Sequence, residues 1–162
     1  MIFITLGSQK FQFNRLLIEV DRLVEQGDIT EEVFAQIGYS DYKPKNYKFK
    51  EFLDRDEFPD YMEKSDIVIT HGGTGAIIGA VKKNKKVIAV PRLKEYDEHV
   101  DNHQEEIISE FVEMNYIIGI SDIKELDCTL NKINKCKFNN YKSNTKNILE
   151  SIESFIKSEC QY

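Results

Sequence analysis

The sequence has 162 residues, of which 22 are basic and 28 acidic, and its formal net charge is −6. This length fits a single domain, and the 41% hydrophobic content supports a packed core and argues against a disordered chain. An acidic chain has no positive field to attract a phosphate backbone, so no nucleic acid is expected as a partner. The three cysteines, Cys128, Cys136 and Cys160, are widely spaced, which disfavours a disulfide framework or a zinc ribbon.

Neither a membrane span nor a leader peptide is predicted. The longest uninterrupted apolar run covers only residues 87–91, whereas a spanning helix needs roughly 18 residues. Met1 leads directly into an apolar run, without a basic segment or a small-residue cleavage site. We therefore expect a cytoplasmic protein that is not itself a membrane protein.

Short apolar runs alternate along the chain with longer segments of helical periodicity. The first strand is predicted at residues 2–6, and the apolar positions of the helix that follows it end at Gly27. Further strands are predicted at residues 33–37, 47–52, 66–70, 87–90 and 116–120, and further helices at residues 59–64, 74–83 and 100–114. From residue 121 the pattern is helical, with a polar break at about residues 137–143.

This alternation predicts an α/β fold, a Rossmann-like parallel sheet with helices on both faces. We expect one domain over residues 1–162, with a core of about residues 1–122 and a C-terminal helical segment of about residues 122–160. The lysine-rich run at residues 82–86 is interpreted as a solvated helix end, and a minor role against anionic lipid is left open.

In an open parallel sheet, ligands bind beyond the carboxyl ends of the strands. The strongest candidate for such a site is the turn His71-Gly72-Gly73-Thr74-Gly75, which directly follows one predicted strand and precedes a helix. Glycines let the backbone approach a ligand closely, and the free N–H groups of a helix start suit a phosphate or pyrophosphate. An anion site with Thr74 as the helix N-cap is therefore favoured over a turn that uses glycine only for packing.

The same stretch contains Gly73-x-Gly75-x-x-x-Gly79, a loose variant of the dinucleotide fingerprint. That fingerprint normally continues to an acidic residue at the end of the next strand, but here the next strand ends at Pro91-Arg92. No Gly-Lys-Ser/Thr follows the turn, which excludes a P-loop. A small NAD(P)-binding domain is therefore kept only as an alternative.

A second polar segment runs from Pro91 to Gln104. His99 and His103 stand four residues apart, but no Glu follows His99 and no convincing third ligand is placed nearby, so no metal is predicted. Both a capped, solvated helix start and a sugar- or ribose-binding loop fit this segment.

A third segment, Gly7-Ser8, follows the first predicted strand and can face a substrate or a second domain. The sequence contains neither a nucleophile elbow nor a Ser-His-Asp signature, so acyl transfer is not supported.

These segments together resemble one half of a known class of glycosyltransferase. The turn at residues 71–75, the strand end at residues 87–92 and the run Glu98-His99-Val100-Asp101-Asn102-His103-Gln104 have the order and spacing of the carboxyl-terminal, nucleotide-sugar-binding domain of GT-B enzymes of glycosyltransferase family 28. The resemblance extends to about residue 122 and looks closest to the short catalytic subunits of two-part capsular or exopolysaccharide glycosyltransferases in bacteria. The catalytic subunit of the dolichol-linked N-acetylglucosamine transferase resembles the chain more distantly.

The resemblance implies a site for a UDP-sugar donor. It places the turn Gly72, Gly73, Thr74 and Gly75 at the diphosphate, and it places Asn102, His103 and Gln104 near the donor, with Gln104 at the sugar hydroxyls. The other residues expected to bind the donor are Gly7, Ser8, His71 and Arg92. Glu98 and His99 match the polysaccharide branch and are the candidate catalytic bases. Larger family members often have a ribose-binding Glu where this chain has Gly79, so ribose must be recognised from elsewhere.

The function implied is that of a UDP-sugar-dependent, inverting hexosyltransferase subunit in surface polysaccharide synthesis. No cofactor is expected, because the UDP-sugar is itself the donor substrate. The sequence has no counterpart of the acceptor domain of a complete GT-B enzyme, which implies a membrane-attached acceptor-binding subunit and a lipid-linked sugar acceptor. A homo-oligomer is the expected substitute in isolation. The alternatives are a non-catalytic nucleotide-binding partner and the NAD(P)-binding domain considered above.

Overall fold

The computed structural model describes the backbone of residues 1–143 and 145–159 and the side chains of residues 1–143 and 149–157. Within this part of the chain, six strands form one sheet: Ile2–Thr5 (β1), Val33–Gln36 (β2), Lys48–Lys50 (β3), Ile67–His71 (β4), Lys86–Val90 (β5) and Ile118–Gly119 (β6). Their order is β3-β2-β1-β4-β5-β6, and every pairing is parallel. The predicted parallel α/β sheet is therefore confirmed.

Helices cover both faces of this sheet. They are Asn14–Gln26 (α1), Glu57–Lys64 (α2), Thr74–Lys82 (α3), His103–Glu113 (α4) and Leu126–Ile133 (α5). A further helix, Thr145–Glu159 (α6), has exposed side chains over residues 149–157. Successive strand residues point to opposite faces, so Ile2 and Ile4 pack with α1 and α5, whereas Phe3 packs with α2, α3 and α4. The strands are thus buried on both sides, which is why their sequences are apolar without a polar alternation.

The two edge strands are shorter than predicted. The third strand spans Lys48–Lys50 instead of residues 47–52, and the last spans Ile118–Gly119 instead of residues 116–120. Each pairs with a single neighbour, β2 or β5, so only one row of hydrogen bonds defines its length. The local pattern of apolar residues does not show where such an edge strand stops pairing.

Helix α4 begins at His103, three residues later than predicted. Residues 97–102 form a loop, with Asp97 in a left-handed backbone conformation (φ 54°) and Asn102 at the N-cap position of α4. The Asn102 side chain makes no capping bond, because it accepts from the Lys94 N–H across the loop. The Oδ1 atom of Asp101 accepts a hydrogen bond from the His103 N–H at 3.1 Å. His99 consequently lies in a loop and does not share a helical face with His103.

The C-terminal segment contains α5 and α6, separated by the predicted polar break, and Cys160 lies outside the described residues. Exposed apolar side chains on α6 are Leu149, Ile152, Phe155 and Ile156. Among the helices of the described residues, none combines the length and apolar character that crossing a membrane would require.

The lysine-rich run lies at the amino end of β5, on the sheet edge opposite the carboxyl ends. Lys83 pairs with the Glu63 carboxylate at 3.0 Å, and Lys85 donates to the Glu63 carbonyl at 2.7 Å. Lys86 donates to Asn134 Oδ1 at 2.8 Å. These internal contacts support the interpretation of the run as a helix end and give no support to a lipid-binding patch.

Candidate functional site

A crevice lies beyond the carboxyl ends of β1 and β4, where the connections that leave the two strands run in opposite directions. These strands are neighbours in the sheet, but the chain continues from β1 towards β2 and β3 and from β4 towards β5 and β6. Ligands bind at such switch points in open α/β sheets. An open cavity of about 270 Å³ lies here, lined by Thr5, Gly7, Ser8, Gln36, Phe58, Met62, Gly75, Ala76 and Gly79.

The glycines after β4 have two different functions. A Cβ atom on Gly72 would lie 2.6 Å from the Gln104 Cβ atom, and a Cβ on Gly73 would collide with the His71 ring. These two glycines are therefore required for packing within the turn. A Cβ on Gly75 or Gly79 would have no neighbour within 4 Å. Because Gly75 and Gly79 lie one helical turn apart, they present an open strip of α3 to the cavity.

The prediction that Thr74 caps α3 is wrong. Strand β4 runs one residue further than predicted, to His71, and Gly73 occupies the N-cap position with no side-chain capping bond. Ile77 donates to the Gly73 carbonyl at 3.1 Å, whereas the N–H groups of residues 74–76 have no partner in the described part of the chain. Such unpaired N–H groups at a helix start suit an anion.

His71 is buried beneath this turn. Its imidazole lies against Gly7 and Gly73, and a Cβ on Gly7 would lie 2.7 Å from the ring atom Cε1. Burial, with the Arg92 charge as a second contribution, lowers the pKa of His71 to about 4. The ring is therefore neutral at physiological pH, and it supports the turn through van der Waals packing and not through a positive charge.

This burial predicts a pH-dependent stability. Between the ordinary pKa of 6.5 and the folded value of about 4, the unfolded chain binds a proton on His71 that the folded chain does not. Stability from this group is thus present above pH 6.5 and is lost as the pH falls towards 4. From pH 7 to pH 5 the free energy of unfolding should fall by about 2 kcal/mol through His71 alone. Urea unfolding of wild type and His71→Asn at both pH values measures the difference, and identical pH dependence would contradict it.

Gln104 joins the turns that follow β4 and β5. Its Oε1 atom accepts hydrogen bonds from the N–H groups of Gly72 and Arg92, both at 3.0 Å. Its amide nitrogen makes no hydrogen bond within the described part of the chain and is not fully buried. The expected contact of Gln104 with sugar hydroxyls is thus limited to that NH₂ group, because the carbonyl oxygen is already used.

Arg92 was expected to contact the donor, but its side chain is completely buried. Its Nη2 atom donates to the carbonyls of Leu6 at 2.9 Å and Phe11 at 3.3 Å, which lie in the loop after β1. Burial lowers the pKa of Arg92 to about 10, which leaves the group charged. A fully covered guanidinium does not reach a donor in this arrangement. Arg92 instead acts on the site by holding the loop that carries Gly7 and Ser8.

Glu98 was expected as a candidate base, and its surroundings argue against that role. Its side chain is completely buried, and its two oxygens accept from Nε and Nη2 of Arg15, each at 3.0 Å. It also accepts from the Leu93 N–H at 3.0 Å, and Arg15 donates to the Pro91 carbonyl at 3.0 Å. This pair fixes the loop after β5 against α1. Arg15 supports the site, but no motif in the sequence marks it as a site residue.

The remaining predicted residues divide into two groups. His99 packs its ring on Phe11, with centroids 4.8 Å apart, and so lies beside the loop after β1. Asn102 accepts from the Lys94 N–H at 3.0 Å, and His103 lies 3.3 Å from the Glu106 carboxylate. Both are exposed, and within the described residues no hydrogen bond ties them to the turn after β4.

Known proteins resemble this chain in sequence and in fold. A model of the glycosyltransferase family 28 C-terminal domain matches residues 1–158. The UDP-N-acetylglucosamine transferase subunit ALG13 of Candida albicans is 42% identical over 71 residues, which are 44% of this chain and 22% of that protein. The protein of the same name from Debaryomyces hansenii is 28% identical over 114 residues, covering 62% of this chain and 52% of its own length. The chain therefore spans about a fifth to a half of these relatives, and they give no support to the expected surface polysaccharide branch.

A solved structure supports the same fold. The solution structure of ALG13 superposes with a TM-score of 0.58 at 19% identity and covers 93% of both chains. At this identity the likeness establishes the fold alone, while the family match over residues 1–158 establishes membership. The chain therefore belongs to the glycosyltransferase family 28 C-terminal domain family and has the fold of the carboxyl-terminal half of a GT-B glycosyltransferase.

Proposed function

We propose that the chain is the donor-binding subunit of a two-part glycosyltransferase that uses a UDP-sugar. The observation that carries the proposal is the crevice beyond β1 and β4, where the glycine-lined start of α3 faces an open cavity. Family membership favours a nucleotide-sugar over a dinucleotide as the ligand. UDP-N-acetylglucosamine is the first donor to test, because the matched relatives are named as transferase subunits for that donor.

The diphosphate of the donor is proposed to lie at the start of α3. The N–H group of Gly72 already donates to Gln104. The unpaired N–H groups at the start of α3, which can donate hydrogen bonds to the diphosphate, are those of Thr74, Gly75 and Ala76. They are held in place before the reaction, and the helix dipole adds positive potential at the same point. Negative charge grows on the diphosphate as its bond to the sugar breaks, and a single preorganised donor of this kind contributes about 10²–10³-fold in rate.

The nucleoside is proposed to lie along the open strip of α3. The cavity continues from Gly75 past Gly79 to Phe58 and Met62 of α2. Gly79 leaves space where larger family members have a ribose-binding Glu. Apolar side chains at the far wall suit the flat face of a base, while the end of β2 supplies Gln36.

The acceptor is proposed to be a lipid-linked saccharide, held by a membrane-attached partner that brings the otherwise cytoplasmic chain to the membrane. Two surfaces support a partner. Tyr39 and Phe52 follow β2 and β3, contact each other edge to face, and remain 45% and 43% exposed beside the crevice. Helix α6 presents further exposed apolar side chains. The relatives are themselves named as subunits.

Calorimetric titration of the purified chain with UDP, UDP-N-acetylglucosamine and NADPH tests the proposal. We expect one binding event per chain for UDP and for the UDP-sugar and none for NADPH. Binding of NADPH alone would contradict the proposal and support the NAD(P)-binding alternative. Binding of UDP without sugar transfer in the presence of partner-containing membranes would support a non-catalytic nucleotide-binding role.

A further inference from the structure

A histidine–carboxylate pair lies at the loop between β5 and α4. The Nδ1 atom of His99 is 2.9 Å from Oδ1 of Asp101. The same oxygen accepts the His103 N–H at the start of α4, which fixes the carboxylate relative to that helix. Hydrogen bonding from the His103 N–H, followed by the contact with His99, holds the pKa of Asp101 below its usual range. Asp101 is therefore a carboxylate at neutral pH. Its contact at 2.9 Å outweighs the longer, 3.4 Å contact of the Asp101 N–H with the same nitrogen, so it favours the tautomer of His99 that carries its proton on Nδ1.

The other ring nitrogen of His99 is available. Within the described residues Nε2 makes no hydrogen bond, and the His99 side chain is 14% exposed. Phe11 fixes the ring on one side, with centroids 4.8 Å apart. Phe11 belongs to the loop after β1, which also carries Gly7 and Ser8 of the cavity wall. The His99 ring therefore lies against a loop that contributes to the proposed donor site.

We propose that His99 and Asp101 form a catalytic dyad, in which Nε2 of His99 is the base that deprotonates the acceptor hydroxyl and Asp101 is its positioning residue. This inference rests on the proposed function and deepens it, because it assigns the base to this chain and not to the acceptor-binding partner. Glu98 is excluded from the role, since both its oxygens are buried against Arg15.

The chemical step balances with these groups alone. The acceptor oxygen forms a bond to the anomeric carbon of the donor sugar while the bond from that carbon to the diphosphate oxygen breaks. The electron pair of the broken bond leaves with UDP, and the acceptor proton moves to Nε2. The resulting imidazolium is stabilised by the Asp101 carboxylate and later releases its proton to water. Attack opposite the leaving group inverts the anomeric centre.

Transfer is measured as labelled N-acetylglucosamine that moves from UDP-N-acetylglucosamine into the lipid fraction of membranes from source cells that lack this chain. Purified wild type or variant protein is added back, so partner and acceptor are the natural ones. His99→Ala should lower transfer by about 10²–10⁴-fold, the usual contribution of a general base. Its affinity for UDP-N-acetylglucosamine, from calorimetry, should change less than twofold. Glu106→Gln is the matched control, because its carboxylate faces His103 at 3.3 Å much as Asp101 faces His99, and it should transfer normally.

Asp101→Asn distinguishes a positioning role from a structural one. Removing the Asp101 charge leaves the Nδ1–H tautomer of His99, and the imidazolium formed in the reaction, without their partner. The maximal rate should therefore fall at least about tenfold, while the affinity for UDP-N-acetylglucosamine stays unchanged. The ¹⁵N chemical shifts of the His99 ring in the chain alone should show the proton on Nδ1 in wild type and a larger share of the other tautomer in Asp101→Asn.

The outcomes separate this proposal from the proposed function. If wild type binds neither UDP nor UDP-N-acetylglucosamine, the proposed function is overturned and the dyad with it. If donor binding is normal but His99→Ala transfers at the wild-type rate, only the dyad is overturned. If no lipid product forms with wild type, the ¹⁵N spectrum of the ring decides, and the same His99 tautomer in wild type and Asp101→Asn rejects the pair.

Discussion

Gly75→Val should weaken UDP binding at least 100-fold, which corresponds to about 2.7 kcal/mol, while the unfolding transition changes little. Gly75 lines the cavity, and a Cβ there has no neighbour within 4 Å, so the fold has room for the new side chain. The valine methyl groups would then occupy the space beside the free N–H groups of α3, where the diphosphate is proposed to lie. Calorimetry with UDP and thermal unfolding measure the two effects.

Gly73→Ala is the matched comparison, only two residues away. Its Cβ would collide with the His71 ring, and Gly7 limits the movement of that ring on its other side. We expect a loss of about 1–3 kcal/mol in the free energy of unfolding, as for other overpacked interiors. The sequence places Gly73 together with Gly75 at the diphosphate, and the packing against His71 assigns Gly73 to the fold instead. Equal stability of the two variants would contradict the division of roles.

Gln104→Ala should destabilise the protein by about 2–4 kcal/mol, because the substitution leaves two buried N–H groups unpaired. Those groups belong to Gly72 and Arg92, in the turns on either side of the crevice. The loss should disorganise the diphosphate turn, so UDP and the UDP-sugar should be affected to a similar extent. From the sequence, a selective loss of UDP-sugar binding was expected, since Gln104 was assigned to the sugar.

Gln104→Glu is the control for this variant. A carboxylate oxygen can accept from the same two N–H groups, so most of the stability should return. Chemical denaturation of wild type and both variants measures the free energies, and calorimetry measures binding. A Gln104→Ala protein that unfolds like wild type, with UDP affinity intact and only UDP-sugar affinity reduced, would restore the original assignment.

The elements of the fold were predictable because their signals are local. The β-branched runs of β1, β4 and β5 mark buried strands, and Gly27, with φ of 81°, ends α1 where the sequence placed its end. The start of α4 was missed by three residues, because its N-cap residue, Asn102, spends its side-chain oxygen on the Lys94 N–H across the loop. That contact joins residues eight positions apart, and the helical periodicity does not contain it.

The roles of the site residues depend on contacts that no local pattern contains. Arg15 and Glu98 pair across 83 positions, and Arg92 reaches the Leu6 carbonyl across 86. Side-chain type therefore identified Glu98 and Arg92 as polar residues near a ligand site. It did not show that both side chains are buried and hold neighbouring loops in place. The roles of the glycines are hard to predict for the same reason. Gly73 and Gly75 are the same residue type, and only the atoms around them show that one is needed for packing and the other lines the cavity.

The most direct test of the central claim is an amide chemical-shift titration of the labelled chain with UDP. We expect the largest shifts at the start of α3, residues 74–76, with further shifts at Gly7, Ser8 and Gly79 along the same cavity. Residues of the lysine-rich run at the opposite edge of the sheet should not respond. Saturable shifts confined to that opposite edge, or to the groove that Ile108 and Val112 of α4 form with Gly119 of β6, would contradict a donor site at the carboxyl ends of β1 and β4.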